Sequence, residues 1–242
     1  MTFAALQPLA ERASLFAAYR QDALATAVNA LGDHRWDADL GAGTLTFTAS
    51  DDSSHQVVTK PTLIATIAPG PRSMLWAWAH PQGDPSGVAG QLRDYGTQYE
   101  LTDLAQPELA FPEDAPADGE KLDAWILRTA EQIGTIATEI TGRSPHFSAP
   151  VGGGTRAVFL LDAPIPPTTV ADAVIATPRL LPALTLTDAR SALWDAARLA
   201  GWNLQWVDEA FSAAMVSDAS GTATFRFDEH ARIIGVESQL GG

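Results

Sequence analysis

The chain contains no cysteine, which excludes disulfide bonds, thiolate zinc sites and cysteine nucleophiles. Basic residues are also scarce, because 15 Lys and Arg face 29 Asp and Glu and leave a formal net charge of −14. A chain with this negative charge repels phosphate backbones and anionic lipid surfaces. Its basic residues also form no cluster, and we therefore expect no nucleic-acid binding. The acidity either serves solubility or attracts a basic partner.

Long apolar runs are missing too. No stretch approaches the roughly 18 apolar residues of a membrane helix. Residues 1–20 have neither a basic start nor an unbroken apolar core, so they do not resemble a signal peptide. We therefore expect a cytoplasmic protein with no membrane contact. The composition is that of an ordinary globular protein, and 242 residues suffice for one large domain or two small ones.

Signatures of catalysis and metal binding are likewise missing. The five histidines form no HxH or HExxH arrangement, and no G-x-S-x-G nucleophile elbow occurs. The run Gly152-Gly153-Gly154 lacks the Lys-Ser/Thr ending of a phosphate-binding loop. We accordingly predict no catalytic residues, no metal site and no cofactor.

The first two thirds of the chain alternate between strand and helix patterns. Period-two alternation and turn residues predict four antiparallel strands, over residues 36–40, 44–48, 56–68 and 73–80. Pro61 suggests that the third strand begins late or lies at an edge. Helical spacing and cap residues predict three helices, over residues 8–31, from Asp84-Pro85 to about Tyr95, and over residues 118–141. Residues 100–123 carry eight acidic residues and one lysine, which is typical of an exposed connection.

Five prolines between residues 164 and 182 mark a change in composition. We place a domain boundary near residue 163, giving domains 1–162 and 163–242, although the two parts could also pack as one unit. The second part contains an alanine-rich helix over residues 188–200, followed by strands near 210–217, 222–227 and 232–238. These patterns predict an α+β fold, with an antiparallel β-meander packed against helices and a smaller C-terminal region of helix plus antiparallel strands.

The most distinctive segment is Leu75-Trp76-Ala77-Trp78-Ala79-His80. On a strand, Trp76, Trp78 and His80 would share one face, and small side chains would occupy the other. That face could form the aromatic wall of a ligand pocket, with Tyr95 contributed by the following helix. Alternatively, the two indoles simply pack in the core under a helix, which is the commoner use of tryptophan on a strand.

The same segment resembles an uncharacterised bacterial family, a domain of unknown function. Members of that family carry a strand reading Trp-Leu-Trp-Ala-Trp-Ala-Asn, and here Met74 replaces the first tryptophan and His80 the asparagine. An N-terminal helix and the hairpin that starts at Trp36-Asp37 also match, so the resemblance covers about residues 10–161. It implies no activity.

Three functions remain open on these observations. The absence of any catalytic or metal signature favours a non-catalytic binding or protein-interaction module, for which a basic protein would be a suitable partner. A small-molecule-binding domain, or an enzyme of unrecognised type, would use an aromatic pocket near Trp76 and Trp78. A purely structural role would use assembly through an exposed sheet edge.

Overall fold

The structure is a computed structural model that describes residues 3–39 and 41–240, the last of these by its backbone alone. The chain divides into two compact units. Unit 1 consists of Met1–Ala10 with Val28–Pro164, and unit 2 of Glu11–Ala27 with Ile165–Gly242. Helix α1 (Gln7–Asn29) therefore supplies its middle section to unit 2 and its two ends to unit 1.

Unit 1 contains seven strands and three further α-helices among the described residues. The strands are β1 (His34–Asp39), β2 (Thr44–Ala49), β3 (Gln56–Ala68), β4 (Ser73–Trp76), β5 (Glu108–Ala110), β6 (His146–Gly152) and β7 (Thr155–Asp162). The helices are α2 (Val88–Gln98), α3 (Thr102–Ala105) and α4 (Gly119–Thr141). The strands follow the order β1-β2-β3-β4-β5, and β7 joins the sheet by pairing with both β3 and β6.

Strand β3 lies at the centre of this sheet, and its pairing shows how the sheet accommodates Pro61. Residues 56–59 pair with β2, residues 60–67 pair with β7, and residues 65–68 also pair with β4. Pro61 lies opposite Leu161 of β7, between the stretches that face β2 and β4. The edge of β3 that faces away from β7 has no partner strand at this residue among the described residues. The missing N–H of Pro61 therefore removes no inter-strand hydrogen bond there. The strand does not begin late, but at Pro61 it is locally an edge.

Helix α4 packs on strands β3, β6 and β7 and fills most of the unit 1 core from one side. Its apolar stripe places Ile126, Ile133 and Ile136 in that core, as the helical spacing predicted. Gly142 ends the helix with φ +68°, a left-handed conformation that glycine adopts without strain.

Helix α2 begins later than the predicted start at Asp84-Pro85. The Asp84 carboxylate accepts hydrogen bonds from the backbone N–H and the hydroxyl of Ser86, at 2.9 and 2.8 Å. This local turn holds residues 84–86 outside the helix, and the first helical residue is Val88.

Between α2 and α4 the acidic connection contains the short elements α3 and β5, and one arginine holds the backbone just before α4. Arg72 donates to the carbonyls of Ala115, Pro116 and Ala117 at 3.0–3.2 Å, and its guanidinium lies 5.5 Å from the centre of the Phe111 ring. A carbonyl-rich loop is thus satisfied by a single side chain with several N–H donors.

Unit 2 is built from two helices and a four-stranded sheet in addition to residues 11–27. The elements are α5 (Val170–Leu180), α6 (Ala189–Ala200), β8 (Asn203–Trp206), β9 (Ala213–Asp218), β10 (Gly221–Phe227) and β11 (Ile233–Leu240). The strand order is β11-β10-β9-β8, with every pair antiparallel. The predicted α+β class and its smaller C-terminal sheet are confirmed. Helix α5 and strand β8 were not predicted.

The core of unit 2 uses side chains that are distant in sequence. Leu15, Phe16 and Tyr19 of α1 pack with the alanine-rich faces of α5 and α6 and with Phe225 of β10. The Tyr19 hydroxyl lies 2.7 Å from the Thr177 hydroxyl, and both side chains are buried. None of the helices in the described residues is long and apolar enough to cross a membrane.

Candidate functional site

The predicted strand over residues 73–80 ends at Trp76. A short 3-10 helix, Ala77–Ala79, follows, and the chain then folds back so closely that a Cβ on Gly83 would lie 1.6 Å from the Ala77 carbonyl oxygen. The neighbouring strand β5 has only three residues and therefore offers no partner for a longer β4. The prediction that Trp76, Trp78 and His80 share one strand face is wrong for this reason.

Trp76 is a core residue. Its side chain is fully buried among Met74, Ile64 and Ile67, and its Nε1–H donates to the Asp103 carbonyl at 2.8 Å. An indole without exposed surface and with its donor satisfied has no group left for a ligand in this conformation.

Trp78, His80 and Tyr95 are half-buried. The Trp78 indole packs against the unit 1 core with the Arg93 guanidinium 5.9 Å from its ring, and its buried Nε1 has no hydrogen-bond partner. His80 Nδ1 accepts from the Gln82 N–H at 3.1 Å. A cavity of about 350 Å³ in the same unit is lined by residues 61–63, 82–84 and 87–89, and by none of the four predicted residues.

A second polar cluster in unit 1 joins α4 to β6. His146 is buried, and its Nε2 lies 2.8 Å from a carboxylate oxygen of Glu131. Burial alone would raise the pKa of Glu131, but the hydrogen bond and charge of His146, with the charge of Arg156, hold it below its usual value. Gly134 leaves the space for the imidazole, since a Cβ there would lie 2.4 Å from the ring. The pair acts as a bridge between helix and sheet.

Unit 2 contains a larger and more open cavity of about 650 Å³, which we call the Trp194 groove. It combines three aromatic rings with guanidinium, carboxylate and hydroxyl groups. Its lining residues are Arg12, Asp188, Arg190, Ser191, Trp194, Asp195, Trp206 and Phe211.

Helix α6 positions most of this groove. Its alanines face the core of unit 2, so Arg190, Trp194 and Arg198, spaced four residues apart, lie on the opposite side. Trp194 is 48% exposed, and the Arg198 guanidinium lies 6.0 Å from its ring. The side chain of Asp188 caps the helix by accepting from the N–H groups of Arg190 and Ser191.

A buried carboxylate forms the rigid floor of the groove. Asp195 is 2% exposed and accepts from Arg12 Nε at 3.1 Å and from Arg198 Nε and Nη2 at 2.9 and 2.8 Å. Two guanidinium groups thus hold one buried carboxylate in place. Arg190 adds a further positive charge, because its Nη2 donates to a neutral acceptor, the Asp228 carbonyl, at 3.0 Å.

The lining of the groove also includes an exposed aromatic ring on a strained backbone. Phe211 is 47% exposed and has φ +54°, a conformation that is costly for a residue with a Cβ. Trp206 supports its ring edge-to-face at 5.1 Å. Hydrogen bonds from the Ser212 side chain and backbone hold the pKa of Asp208 below its usual value and fix the same loop. A strained, exposed and well-supported aromatic residue is typical of a binding site.

Sequence reasoning did not find this groove. One signal was present, namely a tryptophan between two arginines on the face of α6 opposite its alanines. The contributions of Arg12, Trp206 and Phe211 depend on tertiary structure. Among the described residues, no three His, Cys, Asp or Glu side chains are placed to hold a metal ion.

Fold and site together define an α+β protein of two compact units, with one open groove that combines aromatic rings and guanidinium groups. The chain belongs to DUF6882, a family of unknown function, whose model matches residues 7–164. No curated protein matches the chain. No solved structure matches it either. Most of the Trp194 groove, from Asp188 to Phe211, lies beyond the range that the family model covers.

Proposed function

We propose that this protein is a non-catalytic binding module that recognises another protein through the Trp194 groove. The observation that carries the proposal is the pair of aromatic side chains, Trp194 and Phe211, that line one cavity and stay about half exposed. Tryptophan and arginine dominate the binding energy of protein interfaces, and here both residue types line the same surface.

The contacts that support the groove from within the protein favour this proposal. Its floor is held by the carboxylate of Asp195, and the Phe211 rim by Trp206 and by the Asp208–Ser212 contacts. Anchors that are already in place lose little side-chain entropy on binding. The groove is also open to solvent, as a surface must be to admit part of another protein, whereas small-molecule sites enclose most of their ligand.

Affinity capture from extracts of the source organism would test the proposal. The double variant Trp194→Ala/Phe211→Ala should lose a partner that the unaltered chain captures reproducibly, and the purified partner should rebind only the unaltered chain. Ile175→Ala is the matched control, because Ile175 is a 69% exposed apolar residue of unit 2 outside the groove. Capture of no protein, or equal capture by the groove variant, would refute the proposal.

A second candidate is a small-molecule site in unit 1 near Trp78, His80 and Tyr95. The buried Trp78 Nε1 without an acceptor favours it, because an unsatisfied buried donor is costly and a ligand could supply the partner. Because Trp76 is buried in the core, this candidate site consists of Trp78, His80 and Tyr95. Saturation-transfer NMR with a metabolite mixture should detect a ligand whose signal disappears in Trp78→Phe. If Trp78→Phe leaves every signal unchanged, this site is not used.

The remaining expectations from the sequence stay predictions. They are a bacterial origin with the tryptophan-rich signature, a cytoplasmic location, and no contact with nucleic acid or membranes. For domain organisation we retain the division near residue 163, with residues 11–27 assigned to the second domain because they pack in its core.

A further inference from the structure

We infer that two copies of this chain associate by pairing their β11 strands antiparallel across a two-fold axis at Val236, which joins their unit 2 sheets into one continuous sheet. Strand β11 (Ile233–Leu240) lies at one end of that sheet and pairs with β10 on one side only. None of its described residues lines the Trp194 groove, so the inference concerns a second surface and goes beyond the proposed function.

Strand β11 lacks the features that keep the other sheet edges from pairing. An edge strand is normally protected by shortness, charge, proline or a bulge. Strands β5 and β8 have only three and four residues, three of the six residues of β1 are charged, and β6 contains Pro150 beside a bulge. Strand β11 has eight residues, no proline and one charged residue, Glu237. Its bulge lies at the start, opposite Phe227, so residues 235–239 form a regular edge.

The backbone of β11 offers hydrogen-bonding groups along this edge. The Phe227 N–H donates to the carbonyl of the residue just before β9, and successive N–H groups of a strand point to opposite sides. Counting back along β10, the N–H and C=O of Thr224 point to β11, where Glu237 lies opposite. Glu237 therefore bonds to β10, and its neighbours Val236 and Ser238 direct their N–H and C=O away from β10. Among the described residues, no further strand lies on that side.

The side chains select one register for a second copy. With Val236 opposite its own counterpart, the outward N–H and C=O groups of the two strands face each other. Glu237 then lies opposite Gly235, which has no side chain. A shift that places Glu237 on the axis would bring two carboxylates directly opposite each other, and like charges in that position are destabilising. An antiparallel pair across a two-fold axis uses the same patch on both copies, so the partner supplies an equally unprotected edge.

A second copy also matches this edge in charge and in apolar surface. Arg226 and Glu237 of the same sheet neutralise each other at 2.7 Å, so the edge has no charge with which to attract a basic or acidic partner. Ile234 is 66% exposed and would lie opposite Ser238 of the other copy, which covers part of it. The net charge of −14 opposes the approach of two copies, but this repulsion acts at long range and is screened by salt.

Sedimentation velocity of the full-length chain tests the pairing. We expect a dimer at micromolar concentration, with more dimer at high than at low salt concentration. Ile234→Lys should weaken dimerisation about tenfold or more, because it places a charge on the edge. Gln205→Lys is the matched control, since it adds the same charge at an exposed residue of β8, the opposite edge of the same sheet. It should dimerise like the unaltered chain, and circular dichroism checks that both variants fold.

Cross-linking tests the register with milder substitutions. The chain has no cysteine, so an introduced thiol meets no other thiol of its own chain. A mixture of Ile234→Cys and Ser238→Cys should form a disulfide-linked dimer on mild oxidation, because facing residues of antiparallel strands have Cα atoms about 5.5 Å apart, within reach of a disulfide. Either variant alone should cross-link far more slowly.

Four results would overturn the inference. They are a chain that stays monomeric at all salt concentrations, a dimer that Ile234→Lys leaves intact, and cross-linking of the mixture no faster than of the single variants. The fourth is a monomeric chain whose β11 edge binds a different protein in a manner that Ile234→Lys abolishes, since the occupant would then not be a second copy.

Discussion

The core of unit 1 and the Trp194 groove of unit 2 use their aromatic residues in opposite ways. In unit 1 the indole of Trp76 is fully buried with its N–H bonded to a backbone carbonyl, and Trp125 and Phe111 pack against each other in the same core. In unit 2 Trp202 is buried in that manner, but Trp194 and Phe211 remain about half exposed on the rims of a groove. The difference teaches that a distinctive aromatic motif in a sequence does not by itself place an aromatic ring at the surface.

The largest effect that this comparison predicts is in the core of unit 1. Trp76→Ala should lower the free energy of unfolding by about 3–5 kcal/mol, because it removes a large buried side chain and leaves the Asp103 carbonyl without its donor. Urea denaturation followed by circular dichroism measures this loss. Trp76→Phe is the matched control and should lose less, since it keeps a ring in the same space. A loss below about 1 kcal/mol for Trp76→Ala would mean that the indole is not a core residue.

The acidic connection of unit 1 gives the next effect. Arg72→Ala should destabilise the protein by about 1–3 kcal/mol, because three carbonyls at residues 115–117 lose their donor. Hydrogen exchange should show faster exchange of the amides between residues 111 and 118. Arg72→Lys should rescue only part of the protection, since an ammonium group cannot reach three carbonyls with the geometry of a guanidinium. Unchanged exchange in Arg72→Ala would show that the loop is ordered by other contacts.

Local patterns predicted the regular elements of unit 1 well. The helical period of 3.6 residues identified α4. The alternation of apolar and polar residues identified the full length of β3 and the β1–β2 hairpin, in which Trp36 lies opposite Phe47. These elements are long or have strong turn residues, so local spacing determines them. The same alternation failed after Trp76, because the end of β4 is set by the backbone contact of Gly83 with Ala77.

The organisation of unit 2 could not be predicted in this way. The prolines between residues 164 and 182 indicated only a change in composition. A capping box at Thr169 and Asp172 nevertheless starts helix α5, which includes Pro178 in its last turn. Residues 11–27 join a core formed mainly by residues 165–242, which no local pattern encodes. The groove combines side chains of α1, α6 and β8, so only tertiary contacts reveal it.

Alkaline pH should distinguish the two units, because it should lower the stability of unit 2. Burial raises the pKa of Tyr19 in unit 2 well above the usual value near 10, although the hydrogen bond with Thr177 partly opposes this. Above pH 10 the unfolded chain releases a proton that the folded unit retains, so the stability of unit 2 falls by up to about 1.4 kcal/mol for each pH unit. Below pH 10 Tyr19 contributes no pH dependence.

Urea midpoints at pH 8 to 11, with amide exchange read separately in each unit, would measure this effect. Tyr19→Phe has no ionisable group at this position and should lack the alkaline loss, although it also loses the contact with Thr177. The other two tyrosines, Tyr95 and Tyr99, lie in unit 1 and are unaltered in this variant. Parallel pH profiles for the unaltered chain and Tyr19→Phe would contradict the prediction.

The smallest expected effect is the one on which the functional interpretation of the comparison depends. Trp194→Ala should change the free energy of unfolding by no more than about 0.5 kcal/mol, because half of the indole faces solvent and its contact with Arg198 is exposed. Thermal and urea denaturation would measure it beside Trp76→Ala. A loss above about 2 kcal/mol would mean that Trp194 is retained for stability, and the groove would then not differ from the core of unit 1 in its use of tryptophan. A neutral result together with lost capture of the partner would separate recognition from folding, since the same substitution removes one and spares the other.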